Sequence, residues 1–310
     1  MQLIMIEQNY FRQRPDRPFA NPTVDAAFKR IFGTDTYKQA TIGFLRSLLP
    51  ERDIRDVEFL NGELLAPNIE ARKAFVDVLC KTPDEQFLVE MQNVGHSFFR
   101  QRMVYYSSML IANSGQPGPD WDFNLTPTYV IAIMNFELGV SDTSKEFISH
   151  CVCRDEVTGE KLPGSTEYFF LSLKKFDKSL DEITSGPEFW LYLLNHSKEM
   201  YEVPQQFAGD ESFRAYFEAS VLAGFTKEER EIYDKTMTTQ NDINIAMREN
   251  FAEGKAEGKA EGEAIGREEG RAEGKAEGKA EVAARMKSCG LPLDDIAKFT
   301  GLSVEVIQAL

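Results

Sequence analysis

The sequence predicts an α/β fold, with a mixed central sheet flanked by helices and a helical C-terminal region. Three observations predict it. Helix-periodic segments are followed by a group of short strand patterns between residues 54 and 92. The run TPTYVIAIMNF (126–136) is apolar almost throughout, as a strand covered on both faces must be. From about Ser179 to Met247 the pattern is mainly helical. Hydrophobic residues make up 42% of the 310-residue chain, enough to build a sizeable core.

The elements follow in order. Residues 23–33, TVDAAFKRIFG, read as a helix with Asp25 in its first turn, Phe28, Ile31 and Phe32 on one stripe, and Gly33 as its stop. Thr36 is placed to cap a second helix running to about Leu49, ended by Pro50. Residues 54–61 read as a strand entering the Asn61-Gly62 turn. AFVDVLC (74–80) and QFLVEMQ (86–92) are strand patterns joined by Lys81-Thr82-Pro83-Asp84-Glu85, a turn with proline at its corner. A hairpin centred between Pro83 and Asp84 sets Asp77 directly opposite Glu90, with Cβ atoms roughly 5 Å apart. Gln92 joins that side, and Val76, Val78, Val89 and Met91 fall on the other. Ser97 is placed to cap a helix over 98–113 that carries Arg102, Tyr105 and Tyr106 on one side. Gly115 to Pro119 reads as a loop, and 147–153 with 167–173 as a strand pair around the Thr158-Gly159 turn.

Charge and composition narrow the function. The net charge is −15, yet residues 1–110 hold 14 basic and 14 acidic residues, so the whole excess lies in 111–310. The neutral part contains Arg12, Arg14, Arg17, Arg100 and Arg102. It permits DNA contact without favouring tight non-specific binding. The four cysteines, Cys80, Cys151, Cys153 and Cys289, are too scattered for a disulfide framework. His150-Cys151-x-Cys153 lacks a second ligand pair, so a reduced strand or loop competes with a soft metal site. No stretch is long and apolar enough for a transmembrane helix, and the N-terminus has no signal-peptide pattern. A soluble cytoplasmic protein is the expectation.

The tail differs in kind. Glycines recur every fourth residue from Gly254 to Gly278 in an EGKA repeat. Each costs about 1 kcal/mol relative to alanine in a helix. The repeat is either a solvated helix or linker, or a stalk for homo-oligomer formation. Residues 293–300 and 303–310 read as two short helices joined at Gly301. The second carries Glu305 and no Lys or Arg, which favours an interaction module over a groove-reading helix. The expected organisation is an N-terminal arm (1–20), a catalytic-type domain (21–178), a helical extension (179–249), the low-complexity repeat (250–281) and a terminal helix-turn-helix-like module (282–310).

The Asp77/Glu90 opposition is the arrangement that can carry chemistry. Two carboxylates facing each other on a hairpin repel unless a cation stands between them. Oxygen ligands of this kind hold a hard divalent ion, which suits phosphodiester cleavage. The competing reading is the solvent side of an ordinary sheet.

With these residues in view, the chain resembles the PD-(D/E)XK nuclease superfamily, and within it the Rpn family of recombination-promoting nucleases, grouped with transposases. NPTVDAAFKRIFG (21–33), FVDVLC (75–80), FLVEMQ (87–92), FFRQRMVYYSSML (98–110) and YVIAIMNFEL (129–138) carry the resemblance. It implies an αβββαβ core and Mg²⁺-dependent endonuclease chemistry on DNA, with Mn²⁺ as a substitute ion. Asp77 and Glu90 match the acidic motif residues and would hold the metal, with Asp25 completing its shell. Gln92 stands where the pattern has lysine, shifting electrostatic work to the metal or to Arg102. Arg102, Tyr105 and Lys29 would contact substrate. Helix-dipole stabilisation by Asp25 and packing of Tyr105 are the alternatives. A nuclease-fold scaffold that binds partners through its C-terminal region is the alternative function.

Overall fold

The computed structural model describes residues 18–64, 74–95, 98–115, 122–136 and 144–310. Arg12, Arg14, Arg17, the Ser97 cap and most of the 115–119 loop lie outside the described residues. The chain forms two compact units, Met1–Thr238 and Thr239–Leu310.

In the first unit, helix α1 (Asp25–Phe32) buries Ala27, Phe28, Ile31 and Phe32, the stripe its periodicity sets on one face. Helix α2 (Lys38–Leu48) follows. Thr36 does not cap it: a 3₁₀ turn, Asp35–Tyr37, comes first. Tyr37 is held there by Arg30, whose guanidinium lies 5.2 Å from the ring centre and donates to the hydroxyl. The strand expected over 54–61 shortens to β1 (Glu58–Phe59). A small pair, β2 (Glu63–Leu64) and β3 (Ala74–Phe75), stands apart from the main sheet.

The hairpin is formed by β4 (Val78–Lys81) and β5 (Gln86–Gln92). Helix α3 (Phe99–Ser114), β6 (Thr128–Met134), β7 (Ile148–Cys151) and β8 (Glu167–Ser172) complete the α/β core. The sheet order is β1-β4-β5-β6-β8-β7, with β5-β6 and β6-β8 parallel and the other pairs antiparallel. This is the mixed sheet the sequence predicts. Every residue of β6 is buried, as its apolar run requires at an interior position.

Side-chain alternation divides the core between the two faces. Val78, Val89, Met91, Tyr129, Ile131 and Ile133 pack with α1, α2 and the later helices α4 (Gly186–His196) and α5 (Glu211–Ser220). Leu79, Leu88, Val130 and Ala132 pack against Phe99 and Met103 of α3. Val76 corrects the expected pattern. It joins the α3-side cluster rather than that of Val78, Val89 and Met91. The chain leaves strand geometry at Val76 and Asp77, between β3 and β4, so strict alternation fails across them.

Helix α6 (Lys227–Ser288) runs 62 residues and contains the whole glycine repeat, which is therefore helical. Where the repeat's register breaks, i,i+4 ion pairs form, such as Arg267–Glu263 at 3.3 Å. The second unit ends in α7 (Leu293–Thr300) and α8 (Val304–Ala309), joined through Gly301 at φ +69°. They close a small core of Ile296 and Ile307 around Ala283 of α6. Among the described residues no helix is long and apolar enough to cross a membrane.

Candidate active site

The β4-β5 register pairs Val78 with Val89 and Lys81 with Gln86, as the turn chemistry predicts. Asp77 and Glu90 come next at the open end of the hairpin. Each carboxylate is fastened to the opposite strand. Glu90 Oε2 accepts from the Asp77 backbone N–H at 3.2 Å, and Asp77 Oδ2 accepts from the Met91 N–H at 2.8 Å. Their side chains keep only 16% and 8% of their accessible surface, so both acids are largely withdrawn from water.

A cation approaches from each neighbouring helix. From α1, Lys29 Nζ lies 2.8 Å from Asp25 Oδ1 and 3.7 Å from Asp77 Oδ1. Asp25 and Lys29 share a face of α1 at the i,i+4 spacing, turned away from the buried Phe28 stripe. From α3, Arg102 lies 3.6 Å from Glu90 Oε1 and donates to Gln92 Oε1. Its guanidinium sits 5.1 Å from the Phe99 ring centre and 5.8 Å from that of Tyr106. Its Nε is buried without a hydrogen-bond partner among the described residues. Gln92 Nε2 donates to the Val94 carbonyl at 2.9 Å, so both ends of that amide are held. Tyr105 is exposed, with its ring 6.4 Å from that of Tyr106.

Asn93 had no role in the sequence reading, yet it fixes this corner. Its amide donates to the Thr23 carbonyl and accepts from Asn135 Nδ2 at 2.9 Å. The end of β5 is thereby tied to the residues entering α1, which sets Asp25 and Lys29 near Asp77. An asparagine directly after an ExQ strand was the available signal. His150, in turn, pairs with Glu167 at 2.8 Å, while Cys151 and Cys153 are exposed free thiols.

Electrostatics follow from burial. Desolvation pushes Asp77 up to about 6, with the Asp25 charge adding to it and the Met91 N–H and Lys29 opposing it. Glu90 is pushed up to about 8, by burial first and then by the Asp77 charge, against the Asp77 N–H, Arg102 and Lys29. Partial burial alone would lower Lys29. Its hydrogen bond to Asp25 and the charges of Asp25, Asp77 and Glu90 outweigh that and hold it above its ordinary value.

A carboxyl raised by folding favours the folded state when protonated. Its contribution is complete below the ordinary carboxylate range near pH ~4 and is lost as pH rises through the raised values. The metal-free protein therefore loses stability from this pair as pH climbs through about 6 and then about 8. Glu167 and Glu188 are held low and act in the opposite sense, so the informative quantity is a difference between variants. Glu90→Gln should gain stability relative to wild type as pH goes from 5 to 8.5, read by urea unfolding in chelator. A constant difference across that range would contradict the raised Glu90.

Among the described residues, no group of three or more His, Cys, Asp or Glu is gathered in an arrangement able to hold a metal ion. Lys29 lies beside both Asp25 and Asp77. The donor chemistry nonetheless fits a hard divalent ion. Two buried carboxylates offer oxygen atoms, and a cation between them would offset both the burial and the charge repulsion that raise their pKa values.

The family model described as PD-(D/E)XK nuclease family transposase matches residues 22–250. The chain belongs to this family. The matched region contains α1, the β4-β5 hairpin and α3, and so every residue of this acidic site. Neither the curated proteins nor the solved structures contain a match. Membership in the PD-(D/E)XK family supports a nuclease-type function for the chain.

Proposed function

We propose that the chain is a divalent-metal-dependent DNA endonuclease of the recombination-promoting nuclease type. The observation that carries this reading is the opposed Asp77 and Glu90 pair, buried, cross-fastened and raised in pKa, in a nuclease-family chain. Asp77 and Glu90 would hold Mg²⁺ or Mn²⁺, with Asp25 as a further oxygen donor while its Oδ1 keeps Lys29. The bound ion would supply Lewis-acid stabilisation of the phosphate and a more acidic water. Backbone donors from the opposite strand keep both carboxylates oriented. Gln92 positions Arg102, and Arg102 presents charge beside Glu90, where substrate phosphate would approach. Tyr105, exposed one turn further along α3, would contact substrate outside this centre. We assign the catalytic domain to residues 21–178, the helical extension to 179–249, the repeat to 250–281 and the terminal module to 282–310, in a cytoplasmic protein.

Purified full-length protein should convert supercoiled plasmid to the nicked form with Mg²⁺ or Mn²⁺. Excess chelator should reduce the rate to background, and restored metal should recover it. Nicking that persists at full rate in chelator would defeat metal dependence. A chain that binds neither ion and nicks nothing would favour the scaffold reading.

A further inference from the structure

The lysine of the family pattern is missing at Gln92, and the structure shows that Gln92 cannot stand in for it. Its amide oxygen is taken by Arg102 and its amide nitrogen by the Val94 carbonyl. A neutral side chain fixed at both ends supplies no positive charge. Arg102 is itself held, by Gln92, by Glu90 and by the two rings it faces.

Lys29 is held differently. Its ammonium rests on the carboxylates of Asp25 and Asp77, and its side chain keeps 46% of its accessible surface. A lysine on a flexible stem, half in water, moves at low cost. An ammonium on Asp77 and a divalent ion on the same carboxylate repel each other. Binding of the ion therefore opposes the Lys29–Asp77 contact, while the closer Asp25 contact keeps the ammonium beside the site.

We propose that Lys29 is a displaceable counter-ion of Asp77. It stabilises the acidic site when no metal is bound, yields Asp77 to the metal, and then offers the phosphate the charge that Gln92 lacks. This rests on the nuclease reading above and adds to the substrate contact expected of Lys29 a metal-free role as the counter-ion of Asp77.

The test uses the full-length protein. Mn²⁺ binding is measured by titration calorimetry for wild type, Lys29→Met and Lys29→Arg, and plasmid nicking is followed on the same preparations. Lys29→Met should bind Mn²⁺ about tenfold more tightly, because the competing charge is gone. Its nicking rate should nevertheless fall about a hundredfold. Lys29→Arg should retain near wild-type Mn²⁺ affinity and recover part of the rate. A merely structural lysine would not move affinity and rate in opposite directions. Mn²⁺ affinity that is unchanged or weaker in Lys29→Met overturns the proposal, as does an unchanged nicking rate. Lys29→Gln serves as the neutral variant if Lys29→Met does not fold. Wild-type protein that neither binds Mn²⁺ nor nicks overturns the nuclease reading and this inference together. Wild-type binding and nicking with no change in the variants overturns the inference alone.

Discussion

Asp77→Asn and Glu90→Gln should each slow metal-dependent plasmid nicking by about a thousandfold or more, equivalent to ~4 kcal/mol of barrier. Both changes remove a charge and keep the shape. The amide oxygen of each variant can still accept from the strand opposite, so the Asp77 and Met91 backbone donors remain satisfied. What disappears is the anionic pair that attracts a divalent ion. The same neutralisation removes repulsion between two buried acids. The variants should thus be at least as stable as wild type at pH 8 without metal. Lost nicking together with retained or increased stability distinguishes a chemical role from a structural one. Nicking within tenfold of wild type in both variants would move the active centre elsewhere. Parallel titration with Mn²⁺ should show weakened binding in each.

Part of this site was legible because hairpin geometry is local. The Thr82–Glu85 turn sets the register of β4 and β5, and that register brings Asp77 opposite Glu90 without knowledge of the rest of the fold. The interior position of β6 was legible for the same kind of reason, since only a strand covered on both faces carries an unbroken apolar run. The approach of Lys29 to Asp77 was not. It depends on how α1 docks against the sheet, which is set by the Asn93–Thr23 link and by the rings of Phe28 and Phe32. The break at Val76 and Asp77 was also hidden, because the segment reads as continuous strand and only tertiary pairing divides it. The repeat left helix and linker open because its intrinsic helix propensity is weak. The structure resolves it as a single helix.

Gly43→Val should destabilise the fold by about 3 kcal/mol, at the upper end for an overpacked core. A mid-helix glycine usually costs stability, and replacement by alanine usually recovers about 1 kcal/mol. Here the sign should reverse. A Cβ at Gly43 would lie 2.2 Å from Ser212 Cβ, 2.4 Å from Ser212 Oγ and 3.0 Å from Trp190 Cζ2. Helices α2 and α5 therefore meet through the bare backbone of Gly43, closer than any side chain allows. Strain introduced there reaches the acidic site through aromatic packing. Phe32 of α1 lies 5.4 Å from Phe44, 6.0 Å from Trp190 and 6.1 Å from Tyr216, ring centre to ring centre. A shifted α5 displaces the base of α1, and with it Lys29 and Asp25. Urea unfolding should show the loss for Gly43→Val and a smaller loss for Gly43→Ala. Adding Ser212→Gly should recover part of the Gly43→Ala loss, since it removes two of the three close contacts and leaves Trp190. Should Gly43→Ala instead stabilise the protein, the α2–α5 approach would be looser than these distances state, and the link from that helix pair to α1 would weaken with it.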